Sequence, residues 1–212
     1  MASSLSLALA NARIADWHAR RAVYAPELPP APDELTPEAV LRDREECQAS
    51  LATFFRRAWH VLEPSQPLKW GWALDAICDH LQAVTAGDIK RLIITVPPGL
   101  AKSLSTCVFW PAWEWGPHGA PHLKHLAFSY SDKLSTRDNR RCRLLVSSVW
   151  YRERWGSVFG LTRDQNEKVN FENTRGGWRL AASIGGAGTG LRADRVIIDD
   201  PINVKEGIRR PP

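Results

Sequence analysis

Apolar residues recur along this chain at two different spacings, which predict where helices and strands lie. From Thr36-Pro37, a typical helix start, apolar side chains recur at near-helical intervals until about His60, where the proline-containing break "EPSQP" follows. A second helix is predicted from Trp72 to Val84 and ends at Ala86-Gly87. Upstream of both, "YAPELPPAPDELTPEAV" carries five prolines and predicts a linker. The first part of the chain is therefore predicted to be helical, with a linker before it.

The pattern changes at "RLIITV", residues 91–96, a short β-branched run that predicts a strand buried on both faces of a parallel sheet. A helix-capable stretch to Trp110 follows, and then "HLKHLAFSY" predicts a second strand. "KVNFEN" and "GWRLAAS" predict a hairpin around Thr174 to Gly177, "IGGAGTG" predicts a loop, and "DRVIID" predicts a last buried strand. This alternation predicts an α/β fold with a mostly parallel sheet flanked by helices and a small helical N-terminal appendage.

Length and composition limit the class of protein. The 212 residues suffice for one domain with a real core, which we place at residues 45–212, after an N-terminal helical and linker segment at 1–44. The four cysteines form no Cys-x-x-Cys pair, so neither a zinc ribbon nor a disulfide framework is indicated. The short apolar run at residues 5–10 lacks a preceding positive charge, and no stretch approaches membrane-spanning length. We therefore expect a cytoplasmic protein with no membrane partner.

Positive charge is concentrated between Ser131 and Arg154, where seven basic residues face three acidic ones, although the whole chain carries only +5. A helix is predicted from Asp132 to Val149, with Arg137, Arg140 and Arg143 turned away from its apolar side. Such a face either follows the phosphates of DNA or is merely solvated, and the sequence leaves both possibilities open. The ten tryptophans, including the closely spaced Trp110, Trp113 and Trp115, are predicted to pack in the core rather than to stack on bases.

The stretch "ITVPPGLAKSLS", residues 94–105, contains a candidate phosphate-binding loop. Gly99 and the pair Lys102-Ser103 fit a phosphate-binding loop, in which backbone N–H groups and the lysine hold phosphates and the hydroxyl binds magnesium. The full Gly-x-x-x-x-Gly-Lys-Ser/Thr pattern is not met, because Ala101 precedes the lysine, and a surface turn that caps a helix remains an alternative. The position of the loop after a predicted strand and before a predicted helix favours phosphate binding.

Two acidic residues end the last predicted strand. After "VII" come Asp199 and Asp200, predicted to hold magnesium and to orient an attacking water, respectively. Either aspartate alone would be unremarkable at the end of a strand. Ligands of such folds bind where the carboxyl ends of the strands meet the loops, so the pair is expected near Lys102. His118, His122 and His125, in contrast, have no nearby carboxylate or cysteine at metal-ligand spacing and predict a surface loop rather than a metal site.

The blocks "EPSQPLKWGW", "GDIKRLIITVPPGLAKS", "FSYSDKLS" and "FENTRGGWRLAASIGGAGTGLRADRVIIDDP" resemble the ATPase domain of the large terminase subunit of tailed bacteriophages and prophages, over about residues 45 to 205. The resemblance implies a P-loop NTPase of the ASCE type with Walker A and Walker B motifs that packages double-stranded DNA into a procapsid. It implies ATP and Mg²⁺ as cofactors, with Asp200 and Lys102 catalytic, Ser103 and Asp199 on the metal, and the nucleotide held by Pro98, Gly99, Leu100, Ala101, Lys102, Ser103 and Leu104. Implied partners are double-stranded DNA, the small terminase subunit and the portal protein, in a homo-oligomeric ring.

Gln66 resembles the adenine-reading glutamine of that family, and a buried or packing role is the alternative. The chain departs from the family in three ways. Gly99 replaces a frequent arginine of the phosphate loop, which leaves Arg192 or a neighbouring subunit to supply that charge, and Trp72-Ala73 replaces a frequent Trp-His. The Ser/Thr-centred coupling motif and the nuclease domain are not found before Pro212, so nuclease activity is not expected. A helicase-type ATPase and a nucleotide-binding or oligomerisation module without turnover are the alternative functions.

Overall fold

The computed structural model describes residues 36–184 and 190–202, so most of the predicted N-terminal segment and most of the glycine-rich loop lie outside the described residues. In the described part of the chain, a run of helices precedes the first strand, two helices follow that strand, and the other four strands come last. The helices are α1 (Pro37–Ala49), α2 (Leu51–Leu62), α3 (Trp72–Thr85), α4 (Lys102–Leu104), a π-helical segment (Ser105–Phe109), α5 (Trp110–Trp115), α6 (Asp132–Ser147) and α7 (Val149–Trp155). The strands are β1 (His125–Ser129), β2 (Leu161–Asn166), β3 (Asn170–Asn173), β4 (Trp178–Ser183) and β5 (Arg195–Ile198).

The five strands form one mixed sheet in the order β2-β3-β4-β1-β5. β1 lies between β4 and β5 and is parallel to both, whereas β2, β3 and β4 pair antiparallel. The α/β class and the hairpin are thus confirmed, but the prediction of a mostly parallel sheet is wrong, since two of the four strand pairs are antiparallel. The short connections from β2 to β3 and from β3 to β4 explain this, because only antiparallel neighbours can be joined by so few residues.

The predicted strand at residues 91–96 does not form. Leu92, Ile94 and Val96 pack against the core, but Ile93 is 92% exposed and no residue of this segment belongs to the sheet. A cleft of about 810 Å³ separates the segment from β5. The β-branched composition therefore favours an extended backbone, but in the described part of the chain no strand lies beside this segment to complete the pairing.

β5 is a strand at the edge of the sheet rather than a fully buried one. Val196 and Ile198 are each 58% exposed, while Ile197 and Asp199 are buried. The register pairs the buried Ala127 of β1 with the buried Ile197, so these two side chains lie on the same face of the sheet. That face carries the core, and the alternation leaves the opposite side of β5 exposed.

The helix predicted from Thr36-Pro37 to about His60 is divided in the structure into α1 and α2. Ser50 has an extended backbone (φ −144°, ψ 120°) and its hydroxyl accepts a hydrogen bond from Thr53 N at 3.2 Å, so it ends α1 and caps α2. The predicted domain boundary at residue 44 falls inside α1, where Asp43 and Cys47 are buried. The second helix is confirmed, and Gly87 follows it with a left-handed φ of 83°.

α4, the π-helical segment and α5 form one continuous helical stretch, residues 102–115, that packs on the core face of the sheet. Phe55 of α2 contacts Phe109 of the stretch, with ring centroids 3.9 Å apart. Trp110, Trp113 and Trp115 are at most 5% exposed, which confirms their predicted core role. No helix within the described ranges is long and apolar enough to cross a membrane. The packing fixes the start of the stretch, and with it Lys102, beside the end of β5.

Candidate functional site

The loop before Lys102 turns through two left-handed residues. Gly99 has φ 88° and Ala101 has φ 51°, and a Cβ added at Gly99 would meet no atom within 4 Å. An arginine at position 99 would therefore be strained by the backbone rather than by its neighbours, which explains a glycine there. The N–H groups of Gly99, Leu100 and Ala101 donate to no other group of the described residues. Unpaired N–H groups at the start of a helical stretch are the feature that binds phosphate.

Lys102 is brought into contact with both predicted acidic residues. Its Nζ lies 3.0 Å from Asp199 Oδ1 and 2.7 Å from Asp200 Oδ1, although 98 positions separate Lys102 from Asp200 in the sequence. Burial lowers the pKa of Lys102, but hydrogen bonds to Asp200 and Asp199 outweigh it and leave the pKa above its ordinary value. The lysine is therefore a cation held at the end of β5.

Asp200 occupies an unusual backbone position. Its φ is 45°, and its carbonyl oxygen accepts a hydrogen bond from Tyr130 N at 3.1 Å. Aspartate is among the few residues that tolerate this left-handed region. The turn carries the chain out of β5 and leaves the Asp200 side chain 55% exposed, while that of Asp199 is only 11% exposed. Asp199 therefore faces the interior and Asp200 faces solvent on the two sides of Lys102.

Two other predicted site residues, Ser103 and Gln66, make no side-chain contact within the described residues comparable with those of Lys102. Ser103 is half-buried at the start of the helical stretch, and its hydroxyl bonds no other described residue. Gln66 lies in the turn between α2 and α3, is exposed, and accepts a hydrogen bond from Trp59 Nε1 through its backbone carbonyl at 2.6 Å. Its exposure contradicts a buried role and leaves a packing role in the turn as the alternative. Within the described ranges no hydrogen bond joins Gln66 to Lys102 or Asp199.

Two further groups lie beside Asp199 that sequence reasoning did not place there. One carboxylate oxygen of Asp138, one of Asp199 and the Sγ atom of Cys107 all lie within 4.8 Å of one another. Asp138 is only 4% exposed, on the core side of α6 together with Ser135, Cys142 and Leu145. The signal available in the sequence was an aspartate at a core-facing position of an otherwise basic helix, since a buried carboxylate requires a partner.

This cluster suits a hard cation better than a soft one. Burial raises the pKa of the Cys107 thiol to about 12, so the sulfur stays protonated. Asp138 and Asp199 offer carboxylate oxygens, and the unpaired Ser103 hydroxyl lies next to Lys102 in the chain. Carboxylate and hydroxyl oxygens are the protein ligands that Mg²⁺ prefers, so the residues present fit this ion.

The three histidines do not form one group. His125 is fully buried on β1, where its Nε2 lies 2.8 Å from Glu114 Oε2, so the prediction of a surface loop is wrong for this residue. Burial lowers the pKa of His125 even though Glu114 opposes this, so the imidazole is a neutral hydrogen-bond donor. His118 is exposed and stacks on Trp113, and His122 is exposed as well. β1 is buried along nearly its whole length between two neighbouring strands, which places His125 in the core, and spacing in sequence alone did not show this.

The basic face of α6 is partly occupied by internal contacts. Arg137 pairs with Asp138, and Arg143, which is half-buried, donates to Asn166. Arg140 is exposed and has no ion pair or hydrogen bond within the described residues. None of the three arginines is among the buried residues of α6, so the predicted outward direction holds, and Arg143 in addition binds the end of β2.

Lys102, Thr106 and Asp199 also line the cleft between residues 87–94 and β5. The cleft therefore opens directly onto the charged cluster. Comparison of this chain with protein-family models, with curated proteins and with solved structures finds no match. The geometry of the cluster and the sequence resemblance are therefore the two grounds for a functional proposal.

Proposed function

We propose that this chain is a P-loop ATPase domain of the ASCE type that binds Mg·ATP and hydrolyses it. The observation that carries the proposal is the meeting of Lys102 with Asp199 and Asp200, across 98 positions, at the carboxyl end of a parallel strand. A lysine after a turn with unpaired N–H groups and two carboxylates of unequal exposure are the parts that phosphoryl transfer needs.

The roles follow from position. The N–H groups of Gly99 to Ala101 and the ammonium of Lys102 bind the phosphates, which requires Lys102 to leave the carboxylates that hold it in this structure. Ser103 and Asp199 would hold Mg²⁺, which neutralises charge on the β- and γ-phosphates when bound. Asp200, exposed and directed toward Lys102, accepts a hydrogen bond from the attacking water. The water oxygen bonds to the γ-phosphorus and its proton passes to the Asp200 carboxylate, while the bond to the β-phosphate oxygen breaks and that oxygen keeps the electron pair as ADP leaves.

The proposed biological role of this ATPase rests on the resemblance of the sequence to the large terminase subunit. The large terminase subunit couples this hydrolysis to packaging of double-stranded DNA, so we propose a motor domain that acts in the bacterial cytoplasm, in a homo-oligomeric ring with the small terminase subunit and the portal protein.

The test is Lys102→Ala, compared with Lys168→Ala. Lys168 is an exposed lysine between β2 and β3, at the opposite edge of the sheet from β5. We expect Lys102→Ala to lower phosphate release by at least about 100-fold, the scale of losing one preorganised charged donor, and Lys168→Ala to change it little. Unchanged melting temperatures of both variants would show that the fold is retained.

Undiminished turnover in Lys102→Ala would refute the proposal. Wild-type protein that binds ATP but releases no phosphate, with or without duplex DNA, would instead identify a nucleotide-binding module without turnover. Strand separation of a duplex would identify the helicase-type alternative, because a packaging motor translocates on intact duplex.

A further inference from the structure

Arg137 and Asp138 form a rigid pair beside the proposed site. Arg137 Nε lies 2.8 Å from Asp138 Oδ1 and Arg137 Nη2 lies 3.1 Å from Asp138 Oδ2, so the guanidinium grips both carboxylate oxygens of its neighbour in sequence. Such a two-point contact fixes the plane of the guanidinium as well as its distance. Asp138 is itself buried in the core side of α6, so the anchor of this pair does not move with solvent-exposed side chains.

The anchored pair lies next to Asp199. The carboxylates of Asp138 and Asp199 approach within 4.8 Å, and Asp199 in turn contacts the ammonium of Lys102 at 3.0 Å. Two buried carboxylates this close repel each other unless cations flank them. The structure supplies one cation on each side: Lys102 contacts Asp199, and Arg137 contacts Asp138.

Arg137 is the arginine best placed to serve this site. Its side chain is 51% exposed and its Nη1 donates to no described residue, so one edge is anchored and the other is free. Arg179 is fully buried and donates to the Cys107 carbonyl, and Arg195 is held by Glu114. Arg192 and Arg140 are exposed, and within the described residues neither forms an ion pair with Asp138, Asp199 or Asp200. Hydrogen bonding to Asp138 raises the pKa of Arg137, which keeps its charge permanent.

We propose that Arg137, oriented by Asp138, contacts the γ-phosphoryl oxygens and stabilises the charge that develops on them during transfer. The proposal rests on the ATPase function proposed above and names the charge-stabilising arginine that the phosphate loop lacks at Gly99. Charge spreads over the γ-phosphoryl oxygens as the bond to ADP breaks, so a guanidinium fixed beforehand stabilises the transition state more than bound ATP. Arg137 is then a catalytic residue and Asp138 a positioning residue.

The experiment compares Arg137→Ala and Arg137→Lys with Arg140→Ala, which removes an exposed arginine one turn further along the same helix. Two readouts are needed: kcat and KM for ATP, and equilibrium binding of Mg·ADP with and without aluminium fluoride, which mimics the transferring phosphoryl group. For Arg137→Ala we expect kcat to fall about 1,000-fold, KM and Mg·ADP binding to change less than about threefold, and the tightening by aluminium fluoride to disappear. Arg137→Lys should recover part of the tightening, and Arg140→Ala should match wild type.

Asp138→Asn tests the positioning role. Loss of the carboxylate frees the guanidinium without removing its charge, so kcat should fall by about 10- to 100-fold with KM nearly unchanged. A variant that only loosened the fold would change KM and melting temperature together, and that result would count against a positioning role.

The outcomes separate this proposal from the one on which it rests. If Arg137→Ala keeps wild-type kcat and aluminium fluoride tightening while Lys102→Ala loses turnover, the role of Arg137 is refuted and the ATPase stands. If wild-type protein binds Mg·ADP but shows no tightening with aluminium fluoride, the role of Arg137 is also refuted. If wild-type protein binds no nucleotide at all, the proposed ATPase function itself fails.

Discussion

Replacement of Asp200 by asparagine should have opposite effects on nucleotide binding and on turnover. In this structure the Asp200 carboxylate holds Lys102 Nζ at 2.7 Å, so it competes with the phosphates for the same cation. The proposed mechanism also needs this carboxylate to orient water. Asn removes the charge but keeps the size of the side chain, and it tolerates the left-handed φ of 45° at this position.

The size of the binding effect follows from exposure. The Lys102 and Asp200 side chains are 25% and 55% exposed, so water screens their attraction and the pair contributes about 0.2 to 1 kcal/mol. Release of Lys102 should therefore raise affinity for Mg·ATP by about 1.4- to fivefold. Removal of the water-orienting carboxylate should lower kcat by at least about 100-fold.

The assay is titration of a fluorescent ATP analogue together with steady-state phosphate release. Asp164→Asn is the matched control, because Asp164 is an exposed aspartate on β2, at the sheet edge opposite β5, and loses the same charge. Weaker nucleotide binding in Asp200→Asn would refute the competition between phosphate and carboxylate. Wild-type kcat in that variant would refute the water-orienting role.

Two further predictions concern stability. Ala101→Gly should raise the melting temperature by about 2 to 4 °C, because glycine relieves about 1 kcal/mol of left-handed strain at φ 51°. The same change at Ala83, inside α3, should lower the melting temperature. If thermal melts show that both variants shift the melting temperature in the same direction, the strain at Ala101 is excluded. Burial holds the pKa of His125 below its ordinary value of 6.5, so unfolding takes up a proton below about pH 6.5 and stability falls as pH falls. His125→Asn should reduce the pH dependence of the unfolding free energy, measured in urea between pH 5.5 and 6.5, by up to about 1.4 kcal/mol per pH unit. His80→Asn, at an exposed histidine, is the control. An unchanged pH dependence in His125→Asn would contradict a neutral buried histidine.

Much of the helical part could be predicted from the sequence because its signals are local. The Thr36-Pro37 start, the Gly87 stop and the wheel of α6 each depend on residues within a turn or two, and each is present in the structure. The break at Ser50 was missed because apolar spacing continues across it, although serine is a strong N-cap.

Strand predictions were less reliable because a strand depends on a partner elsewhere in the chain. Residues 91–96 and β5 have similar β-branched composition, yet only β5 lies beside another strand, β1, and joins the sheet. The hairpin of β3 and β4 was predictable because its partner is adjacent in sequence. The antiparallel pairing of β3 with β4, and of β2 with β3, makes the sheet mixed.

The sequence by itself determined the chemical candidates: a lysine and a serine after a glycine-containing turn, and an aspartate pair after an apolar run. It did so because each motif lies in one short segment. Only the tertiary structure decided that Lys102 meets Asp199 and Asp200, and that Asp138 and Arg137 stand beside them. Those contacts join segments that lie far apart in sequence, and the packing of the helical stretch and α6 against parallel strands sets the distances between them.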